Sequence, residues 1–287
     1  MLEALQYEFM RNALAAGLLA SVICGIMGTL VVINRLAFLS GGIAHAAYGG
    51  IGLSFFLGWP YMIGTLGFSF MAAMVMAAVS LKAKHRADTI IGVIWALGMA
   101  CGIILLDLTP GYNVDLMSYL FGSILTVPGS DLWVMLVVGV LIAGFMAYFY
   151  KELLAISYDE EFARIRGVPI RALYFALIGL LAVTVVVVIQ IVGLILVIAL
   201  LTIPPFIVEK YAKSLFQMMA GASLLGAVFT VGGLWLSYAF NLTSGACIIL
   251  VAGVGFFLFL AVDRLATGRS RGAEPASAVH PEPGANP

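Results

Sequence analysis

The chain has 287 residues, of which 63% are hydrophobic and 10% charged, with 14 basic side chains balancing 14 acidic ones. Its mean hydropathy is +1.13. A soluble domain carries about a quarter charged residues, so this composition excludes an ordinary soluble protein, and the short alternating segments of a transmembrane β-barrel are absent.

Apolar runs of about 20 residues, enough to cross a bilayer, follow one another along nearly the whole chain. They predict an all-α integral membrane protein, a polytopic helical bundle. Residues 1–11 come first, with Leu2, Leu5 and Phe9 spaced for an amphipathic segment on the membrane surface. Glu3 and Glu8 stand where a secretory signal needs positive charge, so this is not read as a signal peptide. Spans are then predicted near 12–33, 41–58, 61–80, 88–107, 131–150, 172–189, 192–208, 214–239 and 245–262. That makes nine, or eight if the first does not cross fully. The whole of 12–266 reads as one membrane domain, with a polar loop at 151–171. Between the fourth and fifth spans lies MSYLFGSILTVPG, 117–129, too short to cross and ending at Pro128. It reads as a re-entrant or broken helix packed on protein or a cavity. The last residues, 267–287, are dominated by Pro, Gly, Ala and Ser and read as a disordered tail.

Basic residues set the orientation. Arg35, Lys82, Lys84, Arg86, Lys151, Arg164, Arg166, Arg171, Lys210, Lys213, Arg264, Arg269 and Arg271 fall on one side, leaving only Arg11 on the other. The first side is cytoplasmic, which places the C-terminus in the cytoplasm and the chain in the inner membrane. The outer face then carries Glu3, Glu8, Asp107, Asp115 and Asp131. Such a face favours cations or a basic docking partner, or simply holds the acids that the positive-inside rule leaves there.

Two spans carry small residues at every fourth position: Gly17, Ser21, Gly25 and Thr29, then Gly42, Ala46, Gly50, Ser54 and Gly58. That spacing keeps one face flat for close helix packing. His45 lies beside the second stripe, with Gly41 and Gly49 one turn away on each side. No Asp, Glu, Lys or Arg occupies the interior of any span, so His45 is the ionisable group deep in the apolar zone and a candidate functional residue. The alternative is a neutral histidine bonded to a neighbouring carbonyl. Cys24, Cys101 and Cys247 show no CxxC spacing and read as small core residues.

The longest internal polar stretch is 151–171. Ser157 with Glu160 fits a capping box opening a short helix over 158–166. Asp159, Glu160 and Glu161 load its first turn, Glu160 and Arg164 pair at i,i+4, and Gly167 with Pro169 stops it. It reads as a docking element for a soluble partner, or as a plain connector. The chain has no GxxxxGK[ST] phosphate loop, no intramembrane carboxylate relay, no HExxH and no GxSxG. It is not read as an enzyme.

GGIAHAAYGGIG at 41–52, ADTIIGVIWALG at 87–98, VDLMSYLFGSIL at 114–125, SYDEEFARIRGVP at 157–169 and ALLTIPP at 199–205 together resemble the membrane permease of the zinc/manganese/iron ABC importers. The resemblance implies a homodimer around a two-fold pore, a cytoplasmic ATPase dimer that binds ATP, and an extracytoplasmic metal-binding protein. Nucleic acid is not among the partners, and no permanent cofactor is implied. The stretch at 158–166 matches the family's coupling helix, with Glu161, Phe162 and Ala163 at its centre and Gly167 at its end. The family places an aspartate four residues before the histidine; here that position is Gly41, and Tyr48-Gly49-Gly50 replaces the usual leucine-proline-glycine. Asp88 and Asp115 also match family positions, and each reads as a helix cap or a pore residue. Two His45 imidazoles facing across the axis, with water or carbonyls, would hold a transiting divalent metal ion loosely. Imidazole without carboxylate suits zinc better than manganese, with manganese or iron as the other metals the family carries. The rival readings are an ABC permease for a metal chelate or other small cargo, and a secondary transporter or channel.

Overall fold

The computed structural model describes residues 6–82, 86–110, 120–122 and 124–271, the last six of these for backbone only. Eleven α-helices account for most of them, and no strand occurs among the described residues. The long helices are α1 (Glu8–Ile33), α2 (Ala37–Leu57), α3 (Tyr61–Lys82), α4 (Ala87–Asp107) and α5 (Gly129–Tyr148). Two short ones follow, α6 (Tyr150–Tyr158) and α7 (Glu160–Ile165). Then come α8 (Ile170–Val192), α9 (Leu194–Glu209), α10 (Leu215–Phe240) and α11 (Ser244–Arg271).

Nine of these helices coincide with the nine predicted spans. Seven of the nine are long and apolar enough to cross a membrane; α2 and α9 are not in that set. At 21 residues α2 is long enough, but its glycines, His45 and Tyr48 dilute its apolar content. It is sheathed by α4, α3, α8 and α9, so it presents little surface to lipid and needs less grease. Helix α9 has only 16 residues and carries Pro204 and Pro205 inside it. Such breaks are tolerated where the helix is packed inside protein, and Leu200, Leu201, Pro204 and Pro205 are all buried.

In a bilayer, burial of apolar surface does not drive helix on helix, because lipid is as apolar as leucine. Close van der Waals contact does, and the glycines permit it. The stripe of α1 lies on α10: Gly17 faces Thr230, Gly25 faces the Ser223 backbone, and Ser21 shares a 3.0 Å hydrogen bond with Thr230. The stripe of α2 lies between α3 and α4. A Cβ on Gly42 would sit 2.6 Å from Ile91 Cγ2, and one on Gly50 would sit 2.7 Å from Thr65 Cα. Gly98 of α4 rides on Ala46, while Gly102 and Gly52 bring the two backbones into contact.

Several predicted boundaries shift. The polar stretch forms two helices, not one over 158–166. Ser157 belongs to α6, and the N-cap of α7 is Asp159, whose Oδ1 accepts from Phe162 N at 2.9 Å. Tyr158 ends α6, and only an acceptor at 159 is placed to meet the free N–H groups of the next helix. Of 117–129, the described part shows a 3-10 turn at Ile124–Thr126 packed on α1, with Asn12 Nδ2 donating to the Val127 carbonyl at 3.3 Å. Gly122 (φ +67°) crosses Gly193 (φ +86°), the break between α8 and α9, and neither position has room for a Cβ. Cys24 and Cys247 are buried as predicted, but Cys101 is exposed on α4, because the apolar run around it turns that side away from the rest of the bundle. Helix α11 continues to Arg271, past the predicted tail boundary. Asp115, residues 1–5 and residues 272–287 lie outside the described residues.

Candidate functional site

The middle of α2, residues 39–52, is buried at every position except His45, which is half-buried. The small residues put it there. With Gly42 and Ala46 drawn tight against α4, His45, the residue just before Ala46, is brought against that same helix. The imidazole lies flat on the indole of Trp95 from α4, with ring centroids 4.1 Å apart and planes 15° from parallel. Its Nδ1 is buried and finds no hydrogen-bond partner. The carbonyl-bonded histidine that the sequence leaves open is therefore not what the structure shows at Nδ1.

One turn before the ring the space in front of the helix is open, forming a bay. Gly41 is itself buried, yet a Cβ added there would meet no heavy atom within 4 Å. Gly92, on α4, has only Phe38 Cζ at 3.9 Å in front of it. Phe38 tilts against Trp95 at 6.1 Å and forms a lip of the bay. Gly41 and Gly42 thus differ completely: one faces space, the other faces Ile91 and Met76. Among the described residues no group of three or more His, Cys, Asp or Glu stands close enough to hold a metal ion. What one chain offers is a single imidazole beside an open space.

Asp88 lies exposed in the first turn of α4, two residues after Arg86, which occupies the N-cap without a side-chain bond. It does not cap the helix, and it is not a partner of His45 Nδ1; its charge complements the positive end of α4. Asp115 lies outside the described residues.

The second candidate element is α7. Its termini are both satisfied from within: Asp159 caps the start, and at the end Val168 N donates to the Ala163 carbonyl and Gly167 N to the Arg164 carbonyl. Gly167 is left-handed (φ +77°), which a side chain there would strain. Glu160 and Arg164 pair at 3.1 Å on the exposed surface, a contact that contributes little by itself. Phe162 and Ile165 point outward, 46% and 86% exposed, and Arg166 covers the Phe162 ring at 4.6 Å. Glu161 is exposed as well. Ala163 is fully buried. It seats α7 on the bundle, so the side chains α7 leaves exposed are Glu161, Phe162 and Ile165 among others.

Several residues of these two regions escape a reading of the sequence. Trp95 gives no signal, because nothing in a linear pattern says which aromatic of α4 meets His45. Ile165 is hidden as one more apolar residue among many. Asn34 and Ser157 are 123 positions apart, yet Asn34 Nδ2 reaches Ser157 Oγ at 3.1 Å while also donating to the Leu30 carbonyl at 2.9 Å. That bond ties the end of α1 to the end of α6, immediately before α7. Beside it lies a cleft lined by Ile33, Tyr158, Glu209, Ser214 and Leu215.

The family model for the ABC 3 transport family matches residues 6–263. An uncharacterized membrane protein of Synechocystis is 53% identical over 264 residues, covering 92% of this chain and 94% of that one. The manganese transport system membrane protein MntC of Listeria innocua is 34% identical over 254 residues, covering 88% and 90%. Among solved structures, PsaBC from Streptococcus pneumoniae in complex with Fab superposes with a TM-score of 0.81 at 32% identity, covering 90% of this chain and 93% of that one.

Proposed function

Because the chain belongs to the ABC 3 transport family, we propose that it is the permease subunit of an ATP-driven importer for a divalent transition metal ion. In this reading two copies pair about a two-fold axis, each crosses the inner membrane nine times, and the C-terminus is cytoplasmic. A separate ATPase binds ATP and docks on α7. A metal-binding protein delivers the ion to the acidic outer face. The chain performs no covalent chemistry of its own.

The observation that carries this reading is the partial exposure of His45 alone in the buried middle of α2, one turn from the open space at Gly41. A helix interior tolerates such a residue where it meets a pathway. Across a two-fold axis the two imidazoles supply nitrogen donors, and water completes the shell. A site so sparse binds weakly enough to release, as transit demands. Imidazole without carboxylate favours zinc among the candidate cargoes. Several relatives are named for manganese, and that metal is the second reading.

At the other end, ATP-driven motion of the ATPase would push on Glu161, Phe162 and Ile165. The buried Ala163 and the doubly capped ends make α7 move as a unit. The Asn34–Ser157 bond passes that movement to α1, which packs on α10, α9 and α5.

The test is metal-dependent ATP hydrolysis by the permease reconstituted with its ATPase and binding protein. Zinc, manganese and iron are supplied in turn, for wild type and His45→Ala. Stimulation by zinc that His45→Ala weakens about tenfold or more, the equivalent of one lost ligand at about 1.4 kcal/mol, supports the reading. No stimulation of wild type by any free metal would point to a chelate or other cargo.

A further inference from the structure

We propose that Trp95 is a positioning and specificity residue of the transit site, holding the His45 ring and stabilising it electrostatically when that ring carries a metal ion. This rests on the reading of His45 as a metal contact.

The geometry supplies the argument. A histidine that binds metal ordinarily has its other ring nitrogen fixed by a carboxylate, carbonyl or water. Here Nδ1 is buried and has no partner, so no hydrogen bond at that atom orients the imidazole. The indole does so instead, by nearly parallel contact at 4.1 Å. Trp95 is in turn held from two sides. Its Nε1 donates to Met99 Sδ at 3.2 Å, and Phe38 leans on it at 6.1 Å. One turn on, Gly98 locks α4 onto Ala46, a neighbour of His45. The ring's orientation is therefore set by the α2–α4 contact itself.

The electronic consequence follows. An imidazole bound to a divalent cation carries positive charge, and the face of tryptophan is the strongest aromatic partner for a cation. At Gly41, one turn before His45, there is no side chain to offer a carboxylate. The indole face is the electron-rich surface that meets the ring. Its stabilisation arises only when the metal bonds to nitrogen. It therefore rewards metals that prefer imidazole over those that prefer oxygen, zinc over manganese. Being weaker than a carboxylate, it leaves the ion free to depart.

The experiment uses the full permease–ATPase complex in lipid nanodiscs. The chain has four tryptophans, and Trp59, Trp133 and Trp235 are all more than half exposed. Replacing those three by Phe leaves Trp95 as the one tryptophan of this chain, and its emission is taken as the difference from the same complex carrying Trp95→Phe. Adding zinc should change Trp95 emission saturably, manganese should do so less, and His45→Ala should abolish the change. In the otherwise wild-type complex, Trp95→Ala should raise the zinc concentration for half-maximal ATPase stimulation by about three- to thirtyfold. Trp95→Phe should fall between them, and the manganese value should move less. If His45→Ala impairs stimulation but Trp95→Ala leaves the zinc value unchanged, the tryptophan role is wrong and the pore reading survives. Were Trp95→Ala to misassemble, zinc-insensitive emission from the single-tryptophan protein would overturn the proposal equally. Wild-type behaviour of both His45→Ala and Trp95→Ala would remove the proposal together with the reading beneath it.

Discussion

Two adjacent glycines of α2 should respond to the same substitution in opposite ways. A methyl group on Gly42 would lie 2.6 Å from Ile91 Cγ2 and 3.3 Å from Met76 Sδ. Neither neighbour has room to retreat, since Ile91 and Met76 are both fully packed. Overpacking of this kind costs about 1–3 kcal/mol. On Gly41 the same methyl meets nothing within 4 Å, and replacing glycine by alanine in a helix interior gains about 0.5–1 kcal/mol. Gly41→Ala should therefore be neutral or slightly stabilising, while Gly42→Ala melts earlier. The gap of about 1.5–4 kcal/mol corresponds to at least about 3 °C for a domain of this size. Thermal unfolding of the purified permease in detergent, followed by light scattering, measures it. The same open space admits a larger test. Gly41→Asp places a carboxylate one turn from His45, where the resembling family has one. It should shift metal preference toward manganese by about tenfold, since oxygen donors suit that ion. Equal destabilisation by Gly41→Ala and Gly42→Ala would mean that the bay beside His45 does not exist, and the site would lose its space for an ion.

Asn34→Ala and Ser157→Ala should each lower transport per ATP hydrolysed while leaving ATPase binding intact; if both variants transport with wild-type stoichiometry, their bond is not part of the relay. Phe162→Asp with Ile165→Asp should abolish capture of the ATPase in a pull-down, because these are the outward apolar side chains of α7; undiminished capture would make α7 a connector only. Asp159→Ala removes the cap bond to Phe162 N and should cost about 1 kcal/mol. The loss should appear as faster amide exchange confined to 160–165, and unchanged exchange there would show that the cap is not what holds the helix.

Hydropathy and length mark nine helices along the chain, because a bilayer imposes its requirement on each segment separately. The small-residue stripes announce close packing, since a spacing of four repeats on one helix face. His45 stands out because a lone titratable group in apolar sequence is conspicuous wherever it ends up. Partners across space are not legible in this way. Gly41 and Gly42 are identical letters, and only the position of α3 and α4 decides that one faces a bay and the other faces Ile91. Trp95 lies on a different helix from His45, and the angle at which α4 crosses α2 selects it. Ser157 resembles a cap because Glu160 follows at the right spacing. In the folded chain it is drawn to Asn34, and Asp159 takes the cap. The sequence alone determined a helical membrane permease with a lone histidine in its tightest helix, for those are properties of single segments. The tertiary structure decided what that residue touches, because contact between helices depends on their mutual rotation, which no single segment encodes.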